Sequence, residues 1–199
     1  MKNKKRVCIF ASSSNFLDES YYEQVRELGS LIGKNDFDVV YGGSNLGLMW
    51  ASVESAKKEG AKIFGVMPEK LYKILGEECG TLCEELHITD TMRSRKAKLD
   101  EISDAVVAVP GGFGTLEELS EMIVQKQLGY NSKPIVIFNA NNFYDKMIEF
   151  FDVMIGEHFA NVSCRELYFV ANTPQEVVDY LKSYVPVERV IDKVSIYKR

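Results

Sequence analysis

The sequence predicts an α/β fold: a Rossmann-like, doubly wound and mostly parallel sheet with helices on both faces. Strand-like and helix-like segments alternate along the 199 residues. Several strand-like segments are short, charge-free runs such as residues 105–109 (AVVAV), which are typical of strands buried on both faces. Such alternation builds a parallel sheet through right-handed crossovers. No repeat or linker interrupts it, so we predict a single domain over residues 1–199, with a tail from about residue 185 that is loose or packed on a partner.

Each element is predicted from its hydrophobic period and its end signals. The predicted strands are residues 7–11, 39–41, 62–67, 86–89, 105–109, 134–138 and 169–171. The predicted helices are residues 19–34, 46–59, 92–102, a segment from Leu116 onward, 143–157 and a last helix opening at Thr173. Residues 173–176 (TPQE) form a capping box with proline at the first helical position. Residues 68–80 are predicted to be a loop.

Composition excludes several function classes. A formal net charge of −5 disfavours general nucleic-acid binding, because such domains are usually basic. The four cysteines and two histidines occur in no metal-binding spacing, so we expect reduced thiols and neither a metal nor a cofactor. The basic start MKNKKR precedes an apolar run too short for a signal peptide, and no segment is long enough to span a membrane. We therefore predict a cytoplasmic protein with no membrane partner.

The most informative segment is residues 110–118 (PGGFGTLEE), between a predicted strand and a predicted helix. Glycines there let the chain take positive φ and bring bare N–H groups close to a ligand, and the new helix adds its free donors. The spacing matches neither the dinucleotide fingerprint nor the P-loop. We predict that the turn from Gly111 to Thr115 cradles a phosphate.

Two other small-residue loops are predicted to reach the same edge of the sheet. Residues 11–14, which include Ser12, follow the first strand, and residues 42–47, which include Gly43, follow the second. Each loop alone is equally consistent with a simple turn. Ligands of such sheets bind beyond the carboxyl ends of the strands, near the point where strand order reverses. Together the three loops predict a nucleotide site.

Three motifs carry a family resemblance: residues 110–118 (PGGFGTLEE), residues 42–49 (GGSNLGLM) and residues 92–96 (MRSRK). With them the chain resembles the LONELY GUY family, phosphoribohydrolases that release cytokinin bases from their riboside 5′-monophosphates. The resemblance implies that Arg95 and Glu118 form a catalytic pair and that the enzyme works as a homodimer whose site is completed across the interface. It implies a substrate site lined by Glu77, Met92, Lys96, Gly112, Phe113, Gly114, Thr115, Leu116 and Glu117.

The sequence departs from the plant enzymes at two places. Those enzymes usually have a histidine where this chain has Arg93, and a Thr-Trp pair where it has Val124 and Gln125. These differences bear on the base that is recognised rather than on the chemistry. Relatives have also been labelled lysine decarboxylases, but the sequence singles out no lysine for the Schiff base that a pyridoxal enzyme needs.

The proposed chemistry suits the residues. Cleavage of an N-glycosidic bond passes through an oxocarbenium-like sugar, which a carboxylate beside C1′ stabilises. Glu118 is the candidate for that carboxylate, and Glu117 is better placed for ribose hydroxyls. Arg95 stays protonated, so it holds Glu118 ionised or donates to the departing base. Lys96 would add positive charge near the phosphate.

Structural interpretations compete with these functional ones. Thr115 and Glu118 also fit a capping box at the helix start. Residues 93–98 could be one solvated basic stretch. Four aromatic residues at helical spacing predict core or dimer surface rather than a base-stacking site; they are Phe143, Tyr144, Phe150 and Phe151. On the same fold, a non-catalytic carrier of a nucleotide or of molybdenum cofactor, or a nucleotide sensor, is the alternative function.

Overall fold

The computed structural model describes residues 4–76 and 79–186, which pack around a seven-stranded sheet. Its strands are β1 (Arg6–Phe10), β2 (Asp38–Tyr41), β3 (Ile63–Pro68), β4 (Glu85–Thr89), β5 (Ala105–Ala108), β6 (Ile135–Phe138) and β7 (Phe169–Ala171). Its helices are α1 (Glu19–Lys34), α2 (Gly47–Lys58), α3 (Glu69–Leu75), α4 (Met92–Glu101), α5 (Phe113–Gln127), α6 (Asp145–Gly156) and α7 (Pro174–Ser183). Two short 3-10 helices, Ala140–Asn142 and Val162–Leu167, flank α6.

The strand order is β4-β3-β2-β1-β5-β6-β7, and every neighbouring pair is parallel. The chain therefore builds outward from β1 to β4, then crosses to the other side of β1 and builds outward again to β7. This reversal confirms the predicted doubly wound sheet. It places the topological switch point between β1 and β5, where the loops that follow the two strands diverge.

Alternating side chains of the strands supply two cores, one on each face of the sheet. Val7 and Ile9 of β1 belong to the core under α1, α2 and α7, whereas Cys8 and Phe10 belong to the core under α4, α5 and α6. Such alternation follows from the period of two in a strand. Of the four aromatic residues in question, Tyr144 and Phe151 pack in or against the second core, and Phe143 and Phe150 are exposed.

Four details differ from the sequence predictions. Residues 69–75 form α3 instead of a loop, α5 begins at Phe113 rather than Leu116, and α6 begins at Asp145. At α7, the Thr173 side chain accepts from the Glu176 amide, but the Glu176 carboxylate accepts from the Asn172 amide instead of closing the capping box.

No helix in the described ranges is long and apolar enough to cross a bilayer. The predicted tail lies almost wholly outside the described residues.

Candidate active site

The loops after β1, β2 and β5 are joined by hydrogen bonds at the carboxyl edge of the sheet. The Ser12 amide donates to the Pro110 carbonyl oxygen over 3.2 Å, and the Met49 amide donates to the Ser12 carbonyl oxygen over 3.2 Å. The Gly47 amide donates to the Asn15 side chain over 2.8 Å. The structure thus brings Ser12, the Gly43 loop and the glycine turn together as predicted.

Helices α4 and α5 bring two buried, oppositely charged side chains together at this edge; we call Arg95 and Glu118 the inner pair. Nη1 of Arg95 lies 2.5 Å from Oε1 of Glu118, and Arg95 Nε donates to the Val66 carbonyl oxygen over 3.2 Å. Their side chains are only 7% and 6% exposed. Buried charges persist only when they are paired and hydrogen-bonded, and these contacts meet that requirement.

Local sequence explains how Arg95 reaches Glu118. Thr91 and Ser94 cap the start of α4 reciprocally, which fixes the rotation of the helix. Arg95 and Leu99, four residues apart, then share its buried face. The guanidinium passes the backbone of Gly42 so closely that a Cβ there would lie 2.3 Å from Nη2 of Arg95. Gly42 is therefore needed for space.

Burial and the Arg95 guanidinium act in opposite directions on the pKa of Glu118. Burial raises the pKa of its carboxyl group, and the Arg95 guanidinium opposes that rise; the net direction is upward. A carboxylate taken out of water beside a fixed cation is a strong electrostatic partner for a positive charge that develops nearby.

A second set of charges lies beside the inner pair; we call Lys96, Glu117 and Glu121 the outer cluster. The Lys96 ammonium contacts Oε1 of Glu117 and lies 2.6 Å from Oε2 of Glu121. The side chains are 16%, 56% and 37% exposed, respectively. The close contacts of Lys96 with the carboxylates of Glu117 and Glu121 raise the lysine pKa. Sequence reasoning missed Glu121, although its spacing of four from Glu117 places both carboxylates on one face of α5.

The glycine turn differs from the predicted geometry. Gly112 is the N-cap of α5 with φ −87°, and Gly111, Gly112 and Gly114 are not among the residues with positive φ. Gly111 is needed for close approach instead, because a Cβ there would lie 2.1 Å from Oγ1 of Thr115. The first-turn amides of α5 have no acceptor within the helix, so they remain suited to an anion.

The competing capping interpretation of Glu118 is wrong. Since Gly112 is the N-cap, Thr115 already lies inside the first turn, and Glu118 lies beyond it. No side chain caps this helix start. The solvated-surface interpretation of residues 93–98 is also wrong for Arg95 and Lys96, whereas Arg93 is exposed.

Three of the remaining residues predicted to line the substrate site are apolar and exposed to solvent. Phe113 is 91% exposed, Leu116 is partly exposed, and Met92 begins α4 with its side chain half exposed. We call these three exposed apolar side chains, which lie in the first turns of α4 and α5, the apolar rim. Glu77 lies outside the described residues.

Lys126 is a buried amine that sequence reasoning missed, because a lysine in a helix usually marks the solvent face. Its Nζ lies 5.0 Å from the Tyr184 ring centroid, and no hydrogen-bond partner is present in the described part of the chain. Burial lowers its pKa to about 8. At about 1.5 Å per residue, it lies about 12 Å along α5 from Glu118 and is not part of the edge site.

Similarity to solved structures supports the fold. The molybdenum cofactor carrier protein of Chlamydomonas reinhardtii matches with a TM-score of 0.68 at 21% identity, over 90% of this chain and 96% of that one. The molybdenum cofactor binding protein of Rippkaea orientalis matches with a TM-score of 0.68 at 22% identity, over 92% and 98%. At such identities the likeness extends to the fold alone.

Sequence similarity reaches further. A family model described as "possible lysine decarboxylase" matches residues 49–181. A cytokinin riboside 5′-monophosphate phosphoribohydrolase of Arabidopsis thaliana is 37% identical over 194 residues, covering 96% of this chain and 89% of the relative. A probable enzyme of the same name from Oryza sativa subsp. japonica is 36% identical over 194 residues, covering 96% and 78%. With these matches over most of its length, the chain belongs to the LONELY GUY family.

Proposed function

We propose that this protein hydrolyses the N-glycosidic bond of a purine nucleoside 5′-monophosphate, with adenine or an N6-modified adenine as the base. The products are the free base and ribose 5-phosphate. The observation that carries the proposal is the buried inner pair, which lies at the switch-point edge of the sheet beside an open helix start. The names of the plant relatives describe the same reaction.

In the proposed mechanism, the bond between C1′ and the base nitrogen breaks while water attacks C1′. The water supplies the new hydroxyl group at C1′, and its other proton ends on the base nitrogen, so the base leaves neutral. The Glu118 carboxylate stabilises the oxocarbenium-like C1′ and orients the water. Arg95 holds this carboxylate in place and donates a hydrogen bond to the departing base. It does not transfer a proton, because a guanidinium stays protonated at neutral pH.

Substrate binding is assigned to the surrounding groups. First-turn amides of α5, at Phe113, Gly114 and Thr115, bind the 5′-phosphate. Glu117 accepts hydrogen bonds from ribose hydroxyls, and Lys96 offsets negative charge near the phosphate. The apolar rim of Met92, Phe113 and Leu116 faces the base.

The test is incubation with a panel of nucleoside monophosphates in the presence of a metal chelator, with chromatography for released base. We expect AMP or an N6-modified AMP to be cleaved. Loss of the phosphate removes several charge-assisted hydrogen bonds of about 1.5 to 3 kcal/mol each, so adenosine should react about a thousandfold less efficiently. Tight nucleotide binding with no cleavage of any substrate would instead support a carrier or sensor.

We also propose that the protein works as a homodimer. Apolar side chains of α5 and α6 are exposed on neighbouring surfaces, including Val124, Leu128, Phe150 and Val153. Between the two helices lies an apolar groove of about 230 Å³ that Ile123, Phe151 and Met154 help to line. Leu116 continues the α5 surface to the edge site, so a partner seated there would border the substrate.

Light scattering of Phe150→Asp tests the dimer. This variant should become monomeric, whereas Lys58→Ala, an exposed change on α2 at the other face of the sheet, should leave the assembly intact. A dimer that survives Phe150→Asp would place the interface elsewhere.

The sheet also supports proposals for the location and the domain organisation of the protein. The apolar run in β1 is a central strand of the sheet, so it belongs to the folded domain. We propose a cytoplasmic protein. The common sheet of the described residues supports a single domain over residues 1–199.

A further inference from the structure

We infer that Glu121 is a positioning residue that keeps Glu117 available to bind the ribose, so that it determines selectivity for ribonucleotides over deoxyribonucleotides. The inference rests on the proposed function. It deepens the description of the substrate site through a residue that does not touch the substrate.

One ammonium group serves two carboxylates in the outer cluster. Lys96 contacts Glu117, and its Nζ lies 2.6 Å from Oε2 of Glu121. This oxygen of Glu121 is buried, and its ionic partner is Lys96. Within the described part of the chain, the same oxygen accepts no well-aligned hydrogen bond. Oε1 of Glu121 accepts only a long hydrogen bond from Gln125, of 3.4 Å. Glu121 therefore depends on Lys96 for its counter-charge.

Glu117 is the more exposed of the two carboxylates. An exposed ion pair is weak, so little free energy is lost when Glu117 leaves it, and hydrogen bonds from hydroxyls to a charged carboxylate are stronger than neutral ones. Glu117 can therefore exchange its contact with Lys96 for the 2′- and 3′-hydroxyls of a ribose. Glu121 cannot make this exchange, because its paired oxygen is buried.

Glu121 lowers the cost of that exchange. When Glu117 turns to the ribose, Lys96 still has a carboxylate partner and stays in place. Without Glu121, Lys96 would have Glu117 as its single partner, and ribose binding would have to break that pair. The two carboxylates are also four residues apart on α5 and repel each other, which further favours release of Glu117.

The experiment measures binding of ribose 5-phosphate and AMP by calorimetry and steady-state turnover of AMP and 2′-deoxy-AMP. In Glu121→Gln we expect Kd for ribose 5-phosphate and KM for AMP to rise by about 3- to 10-fold, which corresponds to about 0.7 to 1.4 kcal/mol. The preference for AMP over 2′-deoxy-AMP should fall by a similar factor. The effect should fall on KM rather than on kcat, because the inner pair is unaltered.

A second substitution separates positioning from a general structural effect. Adding Lys96→Gln to Glu121→Gln removes the cation that holds Glu117, so the preference for AMP over 2′-deoxy-AMP should recover at least partly. Both substrates carry the same 5′-phosphate, so the loss of positive charge near the phosphate cancels from this ratio. Glu149→Gln, which removes an exposed carboxylate paired with Lys146 on α6, is the matched control and should change neither. Thermal melting of each variant confirms that folded protein is compared.

The outcomes are distinct. Unchanged Kd and unchanged ribonucleotide preference in Glu121→Gln, or no recovery of that preference in the double variant, would overturn the role of Glu121. AMP cleavage by the wild type would still leave the proposed function intact. A wild-type protein that neither cleaves nor binds any nucleoside monophosphate would overturn both.

Discussion

The inner pair and the outer cluster lie on the same two helices, and Arg95 and Glu118 are the sequence neighbours of Lys96 and Glu117, yet the two groups differ in burial and in exchange with solvent. Successive residues of an α-helix point about 100° apart, so Arg95 and Glu118 turn into the protein while Glu117 turns to its surface and Lys96 is partly covered. The inner pair has fixed charges, whereas the outer cluster includes Glu117, a 56% exposed carboxylate whose contact water and ligands can exchange. We therefore assign the chemistry to the first and binding to the second.

Glu118→Gln should give the largest effect on turnover. The glutamine keeps the size of the side chain but removes the counter-charge of the oxocarbenium-like centre, so kcat for AMP should fall at least about a hundredfold. Turnover is measured per mole of folded protein, with circular dichroism as the check. Near-normal kcat would remove Glu118 from the mechanism.

The same comparison predicts a stability difference. Glu118→Leu leaves a buried guanidinium without its carboxylate and should lower the free energy of unfolding by about 3 to 5 kcal/mol. The exposed Glu117→Leu should cost less than about 1 kcal/mol. Urea denaturation measures both.

A double variant supplies the control. Arg95→Met with Glu118→Leu removes both buried charges and should recover most of the lost stability while remaining inactive. If it were as unstable as Glu118→Leu alone, loss of packing rather than an unpaired charge would explain the damage.

Glu117→Gln should act on binding. KM for AMP should rise several-fold with little change in kcat or melting temperature, because an exposed carboxylate contributes hydrogen bonds to the ribose but not charge at C1′. Steady-state kinetics on AMP and 2′-deoxy-AMP measure the effect. A fall in kcat as large as that of Glu118→Gln would contradict the division of roles.

The smallest expected effects are on the pH dependence of stability. Glu118 should act in the acid range and Lys96 in the alkaline range. The pKa of Glu118 is raised, so its contribution to stability is greatest below the ordinary glutamate range near about 4.3 and is lost as pH rises through the folded-state value. The acid limb of kcat should therefore lie above that of an ordinary glutamate. The raised pKa of Lys96 gives a contribution that is present below about 10.4 and lost as pH rises through its higher folded-state value.

Denaturation across pH measures both contributions. Relative to Glu118→Gln, the wild type should gain stability as pH falls through the folded-state pKa of Glu118. Relative to Lys96→Gln, it should lose stability on the alkaline side. The reverse sign for either residue would mean that its environment has been misassigned.

Most of the sheet was predictable because buried strands such as residues 105–109 carry an unmistakable composition. Helix α3 was missed because it is short, buries no residue and has no capping side chain at its N-cap, Pro68. The start of α5 was placed too late because glycines at 112 and 114 have low helix propensity, which tertiary contacts overrode.

The candidate site also has parts that the sequence predicts and parts that it does not. Composition and spacing predicted that three loops meet at one edge, because parallel strands bring their carboxyl ends together. The contact between Arg95 and Glu118 joins residues far apart in sequence, so only the family motif indicated it. The burial of Lys126 depends on packing of Tyr184 above it, which no local pattern encodes.

Gly42 has a consequence for how substitutions in this family should be understood. The residue carries no functional group, yet any Cβ at this position would intrude on Nη2 of Arg95 at 2.3 Å. In a saturation mutagenesis library, Gly42→Ala should therefore behave like a defect in Arg95, with activity lost before the sheet itself is disrupted. A position with no chemistry of its own would then score among the least tolerant in the protein, because its contribution is empty space.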